Sequence, residues 1–311
     1  MAASRPATPD QAAFLEELLK HHVLVATGVQ GVYGKGDRFE AVRLGFDALL
    51  TRVAADHGAA ERLRFPPLVP RRLLEDTGYL SSFPHLAGAV FSFEGTESDA
   101  AIQHERASAH QDWSEFQQMT DLVLTPAACY PVYPAIAARG RLAPGGILID
   151  TGASWVFRHE PSGDPARMQT FQMHELVRIG DPEPVLAWRD EWAQRGLELL
   201  RGLGLDADLD NASDPFFGRQ GRMLAASQRE QALKIELLVQ IAGPEPTAVA
   251  SFNYHRDHFA GTHGVELADG ATAHTACLGF GNERVTLALL RTHGFELERW
   301  PTEVRSQLWP A

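Results

Sequence analysis

FRHEPSGDPARMQTFQMHELVRI, residues 157–179, is the stretch that decides the fold of this chain. It opens with an Arg-His-Glu cluster, continues through a loop rich in proline and glycine, and ends in a predicted strand at 169–179. Because side chains alternate along a strand, Phe171 and Glu175 would share one face about 13 Å apart. The charged cluster alone is more typical of surface ion pairs. Followed by the strand at 169–179, however, the Arg-His-Glu cluster indicates a polar groove next to that strand.

Two further segments extend this groove. CLGFGNERVTLALLR, 277–291, places two glycines before a predicted helix at 283–293 and Arg284 in its first turn, although such glycines can also form a simple turn. LKIELLVQI, 233–241, alternates so that Lys234 and Glu236 face away from the apolar side chains. Together with the first stretch, these segments predict a sheet with one face on the core and the other lining a polar groove.

The rest of the chain supports an α+β fold, an antiparallel sheet flanked by helices, because the alternation of strand and helix expected of a parallel sheet is absent. Helices are predicted at 8–22, capped by Thr8 or Asp10, and at 37–56 and 187–202, and a strand at 247–254. We expect an N-terminal helical segment at 1–60 and a larger domain at 61–311, with an inserted helical segment at about 205–231.

Composition narrows the function. The 311 residues include 28 Lys and Arg against 40 Asp and Glu, and a net charge of −12 argues against sequence-independent nucleic-acid binding. The N-terminus lacks the apolar core of a signal peptide and no apolar run would span a bilayer, so we expect a cytoplasmic protein without membrane contact. Two cysteines exclude a disulfide framework and any CxxC motif.

The motifs together resemble the catalytic core of class II aminoacyl-tRNA synthetases, and most of all its seryl subgroup. FRHE with the Phe171 strand resembles motif 2, and GFGNER with its helix resembles motif 3. Residues 64–84, 124–134 and 251–259 resemble the motif 1 region, the strand after it and the serine–asparagine segment of that subgroup. The resemblance covers most of the chain and implies a class II catalytic domain at 61–311.

An ATP site with Mg²⁺ follows from this resemblance. It assigns Arg158 to the α-phosphate and Arg284 to the γ-phosphate end, and planar guanidinium groups suit phosphate oxygens. Adenine would stack between Phe171 and Arg284, with Glu160 at its amino edge. The other positions implied in nucleotide binding are Arg167, Met168, Lys234, Ala250, Ser251, Phe252 and Asn253. Thr247 stands where the subgroup usually has a magnesium-binding glutamate, which leaves Glu236 as the candidate ligand and a catalytic residue beside the two arginines.

The resemblance also gives the cysteines a role, although a lone cysteine is typically a small buried hydrophobe. Cys129, Glu175 and Cys277 fall where the amino-acid pocket is expected, together with Asn253. Two thiolates and a carboxylate form a three-ligand zinc set with one open position, as in catalytic zinc sites. This pattern is similar to the zinc-dependent seryl enzymes of methanogens and their truncated bacterial relatives, the amino acid:[carrier protein] ligases. One zinc ion per chain, holding the substrate α-amino group, is implied.

A second group of possible metal ligands, at His255, Asp257, His258 and His263, has no recognised zinc spacing. On a strand, residues 255 and 258 would point to opposite faces. We therefore expect these to be solvated or core histidines.

The differences from the seryl subgroup favour a carrier-protein ligase. Only about 60 residues precede the resemblance, too few for the long helical tRNA arm, and FAGTHG at 259–264 lacks the paired arginines of the subgroup. We predict ATP-dependent activation of glycine or alanine and transfer to the phosphopantetheine thiol of a carrier protein, with no tRNA partner. The alternatives are a true seryl-like aminoacyl-tRNA synthetase and a catalytically silent paralogue that acts as a binding subunit.

Two interaction surfaces are also predicted. Pairing through motif 1 would give a homodimer that buries part of the apolar stretch Phe65, Leu68, Val69 and Leu73, unless that stretch is simply core. The carrier would dock on the 205–231 insert, whose basic residues are Arg219, Arg222 and Arg229 and whose apolar residues are Phe216, Phe217, Met223 and Leu224. Alternatively, these arginines pair with Asp206, Asp208 and Asp210.

Overall fold

A seven-stranded sheet organises the computed structural model, which describes residues 6–58, 60–218, 223, 225–226, 228 and 231–310. Its strands run in the order β3 (Glu61–Arg62), β7 (Ile147–Phe157), β8 (Thr170–Gly180), β12 (His274–Gly281), β11 (Thr247–Arg256), β10 (Lys234–Val239) and β9 (Ala207–Asn211). The pair β3–β7 is parallel and every other neighbouring pair is antiparallel. The α+β fold with a largely antiparallel sheet is therefore confirmed. The parallel strand was not predicted, since it is only two residues long.

The described strands are β1 Leu24–Ala26, β2 Tyr33–Lys35, β3 Glu61–Arg62, β4 Leu68–Pro70, β5 Ala89–Phe93, β6 Gln117–Leu124, β7 Ile147–Phe157, β8 Thr170–Gly180, β9 Ala207–Asn211, β10 Lys234–Val239, β11 Thr247–Arg256 and β12 His274–Gly281. The described helices are α1 Pro9–Lys20, α2 Asp37–Asp56, α3 Arg71–Asp76, α4 Tyr79–Ser82, α5 Glu97–Ser108, α6 Val132–Ala137, α7 Pro182–Gly202, α8 His258–His263, α9 Asn282–His293 and α10 Thr302–Leu308. No helix in the described part of the chain is long and apolar enough to cross a membrane.

Helices α2, α7 and α9 cover one face of the large sheet. Phe46 on α2 meets Phe280 on β12 edge to face at 5.7 Å, and Phe252 on β11 packs against the same ring at 6.1 Å. These aromatic side chains are fully buried. The opposite face of β8, β10, β11 and β12 faces a cavity. Each of these strands therefore places alternate residues in the core and in the cavity.

Most of the predicted elements are found with small shifts at their ends. The helix predicted at 37–56 is α2 with the same bounds, and that predicted at 187–202 begins earlier, at Pro182. Thr8, rather than Asp10, caps α1, because its side chain accepts the Gln11 N–H and the Gln11 side chain returns the contact. The strand predicted at 233–241 is β10, and a bulge in the neighbouring β11 leaves Val249 between the pairs Leu237–Ala250 and Leu238–Ala248.

The N-terminal segment is not exclusively helical. Strands β1 and β2 form an antiparallel hairpin between α1 and α2. Phe14 and Phe39 lie in the same buried cluster as Phe280, so this segment packs directly on the large sheet. The division of the chain at residue 60 remains a prediction.

Strands β4, β6 and β5, in that order, form a separate three-stranded antiparallel sheet. Val69 and Leu73 are buried within this unit against Leu74, Tyr79 and Val123. The expectation that these two side chains lie in a dimer interface is therefore wrong, because the chain's own small core covers them.

The inserted segment differs from its prediction at its start. Residues 207–211 form the edge strand β9 rather than a helix, and Asp208 pairs with Arg201 at 3.1 Å. Phe216 stacks on Phe83 at 5.1 Å, whereas Phe217 and Met223 are exposed. The predicted docking residues Arg219, Arg222, Leu224 and Arg229 lie outside the described residues.

A glycine in α7 tests the packing of helix on sheet. A Cβ atom at Gly196 would lie 2.7 Å from Cζ of the buried Phe252 ring, so we expect Gly196→Ala to lower the free energy of unfolding by about 1–3 kcal/mol. Gly202→Ala, at the open end of the same helix, is the control and should change it by less than about 1 kcal/mol. Urea denaturation measures both; a G196A protein as stable as wild type would contradict this packing.

Candidate active site

The cavity has a volume of about 590 Å³ and lies on the sheet face that the helices leave open. Its floor consists of side chains from β8, β10, β11 and β12. Its walls come from α4, from the loop after β6 and from residues 214–216. This cavity is large enough for a nucleotide-sized ligand.

One end of the cavity contains three buried acidic groups. Cys129 follows β6 in a tight turn, Glu175 lies on β8, and Cys277 lies on the neighbouring strand β12. Their ligand atoms all lie within 4.8 Å of one another, and each residue is less than 5% exposed. Gly279 is paired with Glu175 across the strands, and a Cβ there would lie 3.1 Å from Glu175 Oε1. Only glycine leaves the carboxylate its full space.

The electrostatics of these groups favour a cation. Burial and the charge of Cys277 raise the pKa of Glu175 to about 8. The hydrogen bond between the two thiols, with burial and the carboxylate, holds the pKa of Cys129 well above its usual value. The same hydrogen bond, with His255 nearby, holds the pKa of Cys277 well below the usual value of a cysteine thiol. Glu175 Oε2 is buried without a hydrogen-bond partner among the described residues. A divalent cation would relieve the repulsion and satisfy this oxygen.

These donors fit zinc in particular. Two sulfurs and one carboxylate are ligands that Zn²⁺ accepts, and three protein ligands leave a fourth tetrahedral position open. Asn253 Nδ2 donates to Cys277 Sγ at 3.6 Å, and His255 Nε2 lies at the same distance from that sulfur. Contacts of this kind orient a ligand without occupying the metal's open position.

The other end of the cavity is rich in arginine. The Arg158 guanidinium lies 5.7 Å from the Phe171 ring centroid, and its Nε donates to Pro126 O. Arg284 donates to Ala166 O and Ala248 O at 2.9 and 2.8 Å. Burial, with Arg167 and Arg158 nearby, lowers the pKa of Arg284 to about 10, so it is still charged at neutral pH. These fixed guanidinium groups form a site for an anion such as phosphate.

A third charged group lies on β10. Lys234 Nζ contacts Asp214 Oδ1 at 2.6 Å and Glu236 Oε1 at 3.0 Å. Burial opposes the charge on Lys234, but the two carboxylates outweigh it and raise its pKa. Gln228 donates to the second oxygen of Asp214 at 2.8 Å. The inserted segment thus contacts the cavity floor through Asp214.

Most of the residues predicted for the site meet in this cavity. Those that line it are Cys129, Arg158, Glu160, Phe171, Glu175, Lys234, Glu236, Ala250, Ser251, Asn253, Cys277 and Arg284. Phe252 does not, because it alternates with Ser251 and Asn253 and lies in the core. Met168 is also a core residue, and Arg167 lies beside the carboxylates of Glu160 and Asp164 at 4.0 and 3.9 Å. The side chains of these three residues do not line the cavity, and their roles in nucleotide binding stay predictions.

Two histidines of the cavity were missed. His255 and His258 both line it, although a continuous strand would have separated them. The strand β11 ends at Arg256, which has a left-handed backbone with φ of 55°, and α8 begins at His258. That turn returns the chain to the same side. Among the described residues, the one group suited to a metal is Cys129, Glu175 and Cys277.

Comparisons with known proteins agree with this geometry. No protein-family model matches the chain. Amino acid–[acyl-carrier-protein] ligases 1 and 2 of Bradyrhizobium diazoefficiens are each 44% identical, over 97% and 99% of this chain and 93% and 90% of their own lengths. The type-2 serine–tRNA ligase of Methanopyrus kandleri is 27% identical over 87% of this chain but only 54% of its own length.

Solved structures show the same fold. The seryl-tRNA synthetase of M. kandleri, in complex with A. aeolicus tRNASec, has a TM-score of 0.80 at 23% identity and covers 99% of this chain and 62% of its own. The Pyrococcus horikoshii seryl-tRNA synthetase complexed with ATP has a TM-score of 0.63 at 16% identity, over 94% of this chain and 60% of its own. The class II synthetase fold is therefore established. With 44% identity over nearly the whole length of two relatives, the chain belongs to the amino acid–[acyl-carrier-protein] ligase family.

Proposed function

We propose that this protein uses ATP to activate glycine or alanine as an aminoacyl-adenylate and transfers it to the phosphopantetheine thiol of a carrier protein. The observation that carries the proposal is a single cavity with a buried Cys-Glu-Cys cluster at one end and fixed arginines at the other. The relatives at 44% identity support the carrier protein as acceptor.

The arginine end suits ATP. Arg158 and Arg284 are each anchored to backbone carbonyls and also line the cavity, so they are already oriented for phosphate oxygens. Phe171 offers a ring for adenine, and Glu160 a carboxylate for its amino edge. Glu236, with one oxygen paired to Lys234, is the proposed magnesium ligand. Fixed charges of this kind stabilise a transition state without reorganisation.

The acidic end suits the amino acid. Cys129, Glu175 and Cys277 would hold one zinc ion, which supplies a Lewis-acid site for the substrate α-amino group. Asn253 contacts both Cys277 and Ser251, and so fixes the orientation of the thiolate. Phe171 and Glu175 lie on one face of β8 about 13 Å apart, a span that an aminoacyl-adenylate can bridge.

The chain's residues position reactants rather than attack them. The substrate carboxylate attacks the α-phosphorus of ATP and pyrophosphate leaves, while Arg158 and Arg284 hold the phosphate oxygens. The carrier thiol then forms a bond to the carbonyl carbon and the bond to AMP breaks, with the thiol proton lost as the thioester forms. Positioning and charge stabilisation are the sources of catalysis.

A tRNA acceptor is the second candidate, and the type-2 serine–tRNA ligase relatives favour it. The chain spans about half the length of those relatives, whereas it spans about nine-tenths of the amino acid–[acyl-carrier-protein] ligases. Because the two relatives at 44% identity are named for an acyl-carrier protein, we propose a carrier protein rather than tRNA as the acceptor. The cysteines, Glu175 and the two arginines are all present in the cavity, which argues against a catalytically silent paralogue.

A homodimer belongs to the same proposal. Since Val69 and Leu73 are internal, other apolar residues must form the interface. Phe91, Met119 and Leu122, on β5 and β6, are each more than 40% exposed and would be covered by a second copy.

Amino-acid-dependent exchange of pyrophosphate into ATP tests the activation step. We expect glycine or alanine to support exchange, and Arg284→Ala to reduce it at least ~100-fold because a phosphate contact is lost. Arg291→Ala is the control: it removes an arginine of the same helix that pairs with Asp10 outside the cavity, and exchange should stay near wild type. Equal exchange in R284A and wild type would contradict the ATP site.

Transfer assays distinguish the acceptors. With ATP and the activated amino acid, a phosphopantetheinylated carrier protein should gain the mass of one aminoacyl group, and the apo-carrier should gain none. If tRNA is aminoacylated and the carrier protein gains no aminoacyl group, the chain is an aminoacyl-tRNA synthetase instead.

Metal content tests the zinc proposal. Wild type should contain one zinc ion per chain by elemental analysis, and Cys129→Ser or Cys277→Ser should lose both the metal and amino-acid activation. Gly279→Ala, whose Cβ would crowd Glu175 Oε1, should weaken zinc binding. Gly281→Ala is the control for metal content, because its nearest atoms are at 3.7 Å. Active wild-type enzyme without zinc would refute this assignment.

Charge reversal tests the docking segment. We expect the double variant Arg219→Glu and Arg222→Glu to lose transfer to the carrier yet keep exchange, because adenylation needs no partner. Arg201→Glu, next to the insert and paired with Asp208, is the control. If exchange and transfer fall together, or neither falls, the carrier docks elsewhere.

A further inference from the structure

A buried ion pair connects the N-terminal hairpin to the helix that carries Arg284. The chain has only three lysines, and Lys35 at the end of β2 is one of them. Its ammonium pairs with Glu283 Oε1, and the two side chains are only 8% and 2% exposed. Glu283 directly precedes Arg284 at the start of α9.

The second oxygen of Glu283 extends this contact to β8. It accepts the backbone N–H of Gln172 at 2.7 Å, next to Phe171. The Lys35 ammonium also lies 4.4 Å from the centroid of the Trp155 ring on β7. The Glu283 carboxylate therefore joins three elements: the hairpin, the strand β8 that carries Phe171, and the helix α9 that carries Arg284.

The loop of the same hairpin contacts the other arginine motif. Gly31 O accepts the backbone N–H of Gln169 at 2.8 Å, and Gln30 O accepts its side-chain Nε2 at 2.9 Å. Gln169 Oε1 lies 3.0 Å from Nδ1 of His159, which directly follows Arg158 in sequence. The hairpin thus contacts the surroundings of both arginines, although neither arginine contacts it directly in these hydrogen bonds.

Stability alone is a weak reason for such a pair. Removing two charges from water costs about as much as their attraction returns, so a buried ion pair often adds little to the free energy of unfolding. What it does provide is a fixed geometry, because the two charged groups face each other in a site that is nearly closed to solvent. Here that geometry lies one residue from Arg284 and one residue from Phe171.

We propose that Lys35 is a positioning residue for ATP: through Glu283 it holds Arg284 and Phe171 in the orientation that the nucleotide requires. The proposal rests on the proposed function, since it takes the arginine end of the cavity as the ATP site. The N-terminal hairpin is then part of the nucleotide-binding apparatus rather than only a cover for the core.

Lys35→Met tests this, because it removes the ammonium and keeps most of the apolar length. We expect the KM for ATP in pyrophosphate exchange to rise about tenfold while the KM for the amino acid changes less than twofold. The measurement is made well below the unfolding midpoint of the variant. Lys20→Met, an exposed lysine at the end of α1, is the control and should match wild type.

A double-variant cycle shows whether the pair acts as a unit. Glu283→Gln should also raise the KM for ATP. The KM of the double variant K35M/E283Q should not exceed the higher of the two single-variant values, because neither partner is then left as an unpaired charge. If K35M does not fold, E283Q and the double variant carry the same comparison. A K35M enzyme with a lowered unfolding midpoint but unchanged KM for ATP would reduce Lys35 to a structural residue and overturn the proposal.

Binding of a non-hydrolysable ATP analogue, measured by calorimetry, separates this proposal from the proposed function. If no amino acid supports exchange in wild type, the proposed function fails. Weaker analogue binding by K35M than by K20M would still support the positioning role of Lys35. If wild type is active and K35M binds the analogue as tightly as K20M does, the positioning role of Lys35 is wrong and the proposed function stands.

Discussion

The site depends on the alternation of side chains along four neighbouring strands. On β12, Phe280 lies in the core, whereas Gly279 and Cys277 face the cavity. On β11, Phe252 is buried between Ser251 and Asn253, which face the cavity. The aromatic side chains bind the sheet to its helices, and this rigid support fixes the positions of the polar groups on the other face.

Charge is separated along that face. The end near Cys129 collects acidic groups that destabilise each other's ionised forms. At the other end, burial and the nearby Arg167 and Arg158 lower the pKa of Arg284. The acidic end therefore favours a ligand of positive charge, and the arginine end favours one of negative charge. A bound cation and the phosphates of a nucleotide would complete both, and the cavity between them is the place where two bound substrates can react.

The sequence was sufficient to predict much of this, since the deciding residues follow simple periodicities. The alternation around Phe171 and Glu175 predicted a shared face, and both side chains line the cavity. Where the period breaks, the prediction fails: the left-handed Arg256 turns the chain and returns His258 to the cavity beside His255. Asp214 left no local signal, because its contact with Lys234 forms only in the folded chain. The burial of Val69 depends in the same way on distant residues such as Val123.

Zinc K-edge absorption spectroscopy of the purified enzyme tests the central claim most directly, namely that the Cys-Glu-Cys end of the cavity holds a metal for the amino acid. We predict a spectrum with two sulfur ligands at about 2.3 Å and oxygen or nitrogen ligands at about 2.0–2.2 Å. Addition of the activated amino acid should alter only the oxygen and nitrogen shell, because the amino group enters the open position. A spectrum without sulfur ligands, or an active enzyme without zinc, would contradict the account.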